Sequence, residues 1–128
     1  MRFKIEMGIP QMAELWQELQ VSYRNGSISK KDTVLYKKWG KALKSLSEDP
    51  QYPGLRTHEI SSLSARYGMK VWQSYLENNN SEARRMFWVY GPNRRDITII
   101  ELDPHSESRK NGAYNRVELS KFAKIMYC

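Results

Sequence analysis

Arginine, histidine and tyrosine near the ends of strand-like segments are the side chains of this sequence best suited to chemistry. Arg84 and Arg85 stand at the start of the run Arg-Met-Phe-Trp-Val-Tyr, the most strand-like stretch of the chain. Alternation along a strand sets Arg85 with Phe87 and Val89, and Arg84 with Met86, Trp88 and Tyr90; parity alone does not choose between the two arginines. His105 follows Leu102-Asp103-Pro104, where the fixed proline geometry would hold it. An imidazole changes charge near neutral pH, so a general acid or base is the functional reading of His105. Tyr114 lies in the polar stretch beyond and could reach back to stack or to transfer a proton. Arg56 and His58 share one face of the segment 55–60, where His58 reads first as a structural residue.

The motifs of several common chemistries are missing. There is no phosphate-binding glycine loop, no HExxH, no EF-hand loop and no glycine-flanked nucleophilic serine. His58 and His105 are far apart in sequence and the carboxylates do not cluster, so the sequence predicts neither a metal site nor a cofactor. The single cysteine, Cys128, allows no disulfide within the chain and fits a reducing, cytoplasmic setting.

The charge points to a polyanion. Lys and Arg total 21 against 14 Asp and Glu, a net charge of +7. Such a domain is drawn to phosphate, and nucleic acid is the commonest polyanion. Lysines dominate the first half and arginines the second, and the rigid guanidinium fork suits specific phosphate contacts. Lys30, Lys37, Lys41 and Lys44 fall on one side of an expected helix, either as its solvated back or as an electrostatic footprint on RNA.

These residues need a scaffold, and 128 residues suffice for one domain with one real core. The first residues alternate charged and apolar side chains, unlike a signal or transit peptide, and no apolar run approaches the roughly 20 residues of a membrane span. Residues 2–8 read as a strand with Phe3, Ile5 and Met7 on one face. Met12, Leu15, Trp16, Leu19 and Tyr23 form a helical stripe closed by Asn25-Gly26. Ser29 is the expected N-cap of a second helix that buries Leu35, Trp39, Ala42, Leu43 and Leu46 and ends near Ser47. A turn at 49–54 precedes strands at 55–60, 69–76, 85–90 and 97–102, with a polar connection at 61–66. Residues 106–116 are polar, and 117–127 fit a strand or a short helix. The expected fold class is α+β: an N-terminal strand and a two-helix antiparallel hairpin packed on one face of a twisted, mainly antiparallel sheet of about four to five strands. The other sheet face is expected to be open.

The order of elements, Pro53-Gly54-Leu55-Arg56-Thr57-His58, the Arg85–Tyr90 strand and the strand 97–102 leading to His105 together resemble the RelE/ParE superfamily of bacterial toxins from toxin–antitoxin pairs, including its RelE, YoeB and HigB branches. The likeness covers roughly residues 2–105, and 106–128 would be an added loop and C-terminal segment of the same domain. The resemblance implies two N-terminal helices against a twisted sheet. It also implies, for the nuclease members, metal-independent cleavage of messenger RNA on the ribosome. Arg85-Met86-Phe87-Trp88 matches the family's arginine-led strand and so selects Arg85. His105, Arg109 and Tyr114 are the nearest matches to its cluster after the last core strand. Arg56 and, less closely, His58 match basic residues after the hairpin. The catalytic glutamate of the YoeB branch has no clear counterpart; Gln51 and Tyr52 occupy that neighbourhood.

The resulting expectation is a ribosome-associated messenger RNA endoribonuclease with a cognate antitoxin, no cofactor and no membrane. Arg85, His105 and Tyr114 would be catalytic. Arg56, His58, Arg84, Tyr90, Arg109, Lys37, Lys41 and Lys44 would contact RNA. The alternatives are a ParE-like toxin acting on a protein target such as DNA gyrase, or an inactive member of the fold that binds nucleic acid or a partner.

Overall fold

The computed structural model describes residues 2–8, 10–76 and 84–103. Strand β1 (Lys4–Met7) leads into helix α1 (Gln11–Asn25) and helix α2 (Lys30–Glu48). A 3-10 turn (Pro53–Leu55), the short strand β2 (His58–Glu59) and helix α3 (Ser61–Tyr67) follow. Strands β3 (Trp72–Tyr75), β4 (Arg85–Tyr90) and β5 (Asp96–Asp103) complete the fold. The five strands form one mixed sheet in the order β1-β5-β4-β3-β2, with β1 parallel to β5 and the other pairs antiparallel. None of the described helices is long and apolar enough to cross a membrane.

The helical hairpin forms where the apolar spacing places it. Gly26 ends α1 at φ 74°, a left-handed conformation open to glycine at little strain. Ser29 caps α2: its Oγ accepts from the Asp32 backbone N–H at 3.0 Å. Ser29→Ala is therefore expected to lower stability by about 1 kcal/mol, read as a lower denaturant midpoint at unchanged slope. Leu35, Trp39, Ala42, Leu43 and Leu46 are all buried. They pack with Met12 and Leu19 of α1 and with Met86, Trp88, Ile97, Ile99 and Leu102 of the sheet. Phe3, just before β1, and Ile5 and Met7 within it border the same core, on the face their alternation gives them.

Three expectations are corrected. Residues 55–60 are not one strand: Leu55 closes the 3-10 turn and only His58 and Glu59 pair with β3. Thr57 ties this turn to the sheet, its Oγ1 reaching the Pro50 carbonyl at 2.8 Å and Ser74 Oγ at 2.7 Å, while Trp88 Nε1 donates to Ser74 Oγ. The connection at 61–66 is helix α3, and the sheet face opposite the hairpin is correspondingly not open along its length. Leu63 of α3 is fully buried in a second core with Ile60, Val71, Phe87, Val89 and Ile100. One leucine on a serine-rich turn is a weak helical signal; burial against the sheet stabilises it. Gly68 at φ 70° ends α3, and Ser64 Oγ accepts from the Val71 N–H as the chain turns into β3.

Candidate functional site

Beside this second core, the same sheet face carries polar side chains. Four come from four successive strands, and the ladder registers explain how. His58 pairs with Gln73, Gln73 with Phe87, and Phe87 with Glu101, so all four project to one side; Arg85, two residues before Phe87, projects there as well.

Glu101 reaches this face through a β-bulge. Alternation from Ile97 and Ile99, both in the hairpin core, would aim residue 101 towards the helices. The register shifts between Phe87 and Trp88, leaving Ile100 as the extra residue, so Glu101 falls opposite Phe87 instead. Glu101 is only 8% exposed, and its Oε1 accepts from the Leu102 backbone N–H at 3.0 Å. Arg85 stands diagonally from it on the adjacent strand, a separation of about 7–8 Å between backbones that a long side chain spans.

Gln73 joins the cluster. Its side chain is 1% exposed; Arg85 Nη1 donates to its Oε1 at 3.4 Å and its Nε2 lies 3.4 Å from His58 Nε2. A guanidinium has donors only, so the amide oxygen must face Arg85 and the amide NH₂ must face the imidazole. His58 Nε2 is then the acceptor, and Nδ1 carries the proton donated to the Arg56 carbonyl at 3.1 Å. The hydrogen bonds run in one direction, Arg85 to Gln73 to His58 to Arg56. Gln73→Glu supplies an acceptor where the imidazole now meets a donor. Imidazole ¹⁵N shifts are expected to show the His58 proton on Nδ1 in the parent and protons on both nitrogens in the variant, because Nδ1 still faces the Arg56 carbonyl.

Arg56, exposed at the far end of this chain, has φ 51°, a left-handed conformation costly for a residue with a Cβ. The turn after the 3-10 segment thus holds an arginine and its hydrogen-bonded carbonyl at a position where glycine would be less strained.

The structure brings together Arg85, His58 and Arg56 of the sequence-predicted residues. Arg84 is half-buried immediately before β4. Tyr90 is not part of the cluster: it ends β4 on the opposite face, against Trp88 at 5.0 Å between ring centroids. Burial pushes its hydroxyl above the ordinary tyrosine value, which keeps the phenol neutral. Lys30, Lys37, Lys41 and Lys44 are exposed on α2. His105, Arg109 and Tyr114 lie outside the described residues. Sequence reasoning missed Gln73 and Glu101: the first is neutral and gives no titratable signal, and the second is aimed by the bulge. Among the described residues no three His, Cys, Asp or Glu side chains are grouped to hold a metal ion. Comparison of the chain with protein-family models, with curated proteins and with solved structures finds no match.

Proposed function

We propose that this chain is a RelE/ParE-like toxin that cuts messenger RNA on the ribosome. The observation that carries the reading is Arg85, oriented by buried Gln73 and placed diagonally from Glu101 on an α+β scaffold. The order of strand, two-helix hairpin and antiparallel strands also supports it.

Cleavage of RNA by its own 2′-OH needs little from the protein. The 2′-OH gives its proton to solvent water as its oxygen attacks the adjacent phosphorus, negative charge grows on the phosphate, and the P–O bond to the 5′-oxygen breaks as that oxygen takes a proton from a general acid. Arg85 stabilises that charge as a preorganised cation. Gln73 is a positioning residue that restricts how the guanidinium points, and Glu101 stands diagonally from it on β5. His105, two residues along the chain from Asp103, which pairs with Arg85 in the ladder, is the proposed proton donor, with Tyr114 beside it in the sequence-based assignment. Arg56, His58, Arg84 and Arg109 are proposed to bind phosphates along the same path. A cognate antitoxin would neutralise the toxin in the cytoplasm.

The test is incubation of the full chain with messenger-programmed ribosomes and analysis of the fragment ends. The reading predicts cuts that leave a 2′,3′-cyclic phosphate and a 5′-hydroxyl, the products of 2′-OH attack. Intact messenger under all conditions, or 5′-phosphate ends, would contradict it.

The α2 lysines give a separate expectation. Changing Lys30, Lys37, Lys41 and Lys44 to Glu should flatten the dependence of log affinity for RNA on log salt by about 3, on the scale of about 0.7 per single-strand phosphate contact. Affinities measured between 50 and 200 mM salt, roughly the range where the effect is large, check it. An unchanged slope would remove α2 from the footprint.

A further inference from the structure

At the other end of β4, on the face away from Arg85, a second group of side chains has the chemistry of a nucleic-acid contact. Tyr90 ends β4 and is 44% exposed. Its ring meets Phe3 at 5.9 Å, Trp88 at 5.0 Å and Trp72 at 6.3 Å, and Trp72 stacks on Trp88 at 6.0 Å with 20° between the planes. Rings held on three sides cannot rotate freely, so little freedom is lost when a further flat group lands on Tyr90.

The surrounding charge is basic. Arg94 and Arg95 are exposed in the turn between β4 and β5, and the Arg95 guanidinium lies 5.4 Å above the Phe3 ring. Lys70 is exposed at the approach to β3. The acids nearby are engaged: Glu6 pairs with Lys4 at 3.5 Å, and buried Asp96 accepts from Asn93. An aromatic shelf edged by arginine and lysine complements a polyanion whose bases offer flat faces, whereas a hydrophobic or acidic protein segment would use only half of it.

We propose that Tyr90, Phe3, Arg94 and Arg95 form a base-stacking site for single-stranded RNA, separate from the Arg85 cluster. A base stacks on Tyr90 and the flanking phosphates meet the two arginines. Stacking requires a splayed base, so the site selects single strands over duplex and is tolerant of sequence. It goes beyond the cleavage reading and does not depend on it, since no bond is broken here.

The test is fluorescence anisotropy of a labelled 12-mer of oligouridine with the full chain at low salt. Tyr90→Ala is expected to weaken binding at least about fivefold, and Tyr90→Phe, which keeps the ring, to restore it. The double change Arg94→Glu with Arg95→Glu touches only exposed turn positions and is expected to weaken binding further, which keeps the proposal testable if Tyr90→Ala does not fold. Arg85→Ala removes one phosphate contact on the other face and is expected to weaken 12-mer binding less than Tyr90→Ala does. No binding by the parent, equal affinity for a duplex, equal competition by polyglutamate, or parental affinity in both the Tyr90→Ala and the double arginine variants would each overturn the proposal. A larger loss of binding in Arg85→Ala than in Tyr90→Ala would place the RNA on the other face and overturn it as well. Loss of cleavage with oligouridine binding retained would instead reject the nuclease reading and leave this site standing.

Discussion

Arg85→Ala is expected to lower the rate of messenger RNA cleavage on the ribosome by about 10²–10³, the usual loss when one preorganised donor to a developing oxyanion is removed. The size follows from placement. The guanidinium rises from the first residue of a central strand, is half-buried, and is held by the buried amide of Gln73. It meets the transition state without first being reorganised. Arg85→Lys keeps the charge but loses the planar fork that contacts Gln73 and phosphate together, so it is expected to recover only part of the rate. Because the flanking Met86 and Phe87 carry the packing of β4, both variants should keep the parent's far-ultraviolet circular dichroism and unfolding midpoint to within a few degrees. Loss of rate accompanied by loss of fold would instead assign Arg85 a structural role.

Leu63→Ala is expected to cost about 2–5 kcal/mol, the range for truncating a fully buried leucine. Leu63 is the one fully buried residue of α3 and packs with Phe87, Val89 and Ile100 in the core on the sheet face opposite the hairpin. A helix of seven residues has no stability of its own in water, so its anchor holds it to the sheet. Val34→Ala, at a position 48% exposed on α2, is the control and is expected to change stability by less than about 0.5 kcal/mol. Urea unfolding of both variants reads the difference. Equal midpoints would mean that α3 does not seal this face.

The parts of the fold that could be read from the sequence are those whose packing repeats. In α2, five apolar residues at helical spacing are the five that are buried, and Ser29 caps the helix as its type and position suggest. β4 was legible from its run of aromatic and β-branched residues. Helix α3 was not, because Ser61, Ser62 and Ser64 read as a loop and a single leucine gives no period; the sheet supplies what local propensity lacks. β2 reads longer in the sequence because Leu55 and Ile60 are both apolar, but the first belongs to the 3-10 turn and the second to the start of α3.

The candidate site divides in the same way. Arg85 was visible as a charge leading an apolar strand. His58, read first as structural, stands in the cluster through its pairing with Gln73. Glu101 was hidden because a bulge reverses the side on which a strand residue falls, and nothing in Ile-Thr-Ile-Ile-Glu-Leu announces where the extra residue lies. Tyr90 offers a ring for stacking, and its parity along β4 takes it to the opposite face from Arg85.

The central claim is that the substrate's own 2′-OH is the nucleophile and Arg85 its electrostatic partner. Two ribosome-bound messengers, identical except for a 2′-deoxy sugar immediately 5′ of the cut phosphate, test it most directly under single-turnover conditions. The account predicts that the ribose messenger is cut by the parent and slowly by Arg85→Ala, and that the deoxy messenger is cut at that position by neither. Equal cutting of the two messengers by the parent would contradict it, because an external nucleophile would then be doing the chemistry.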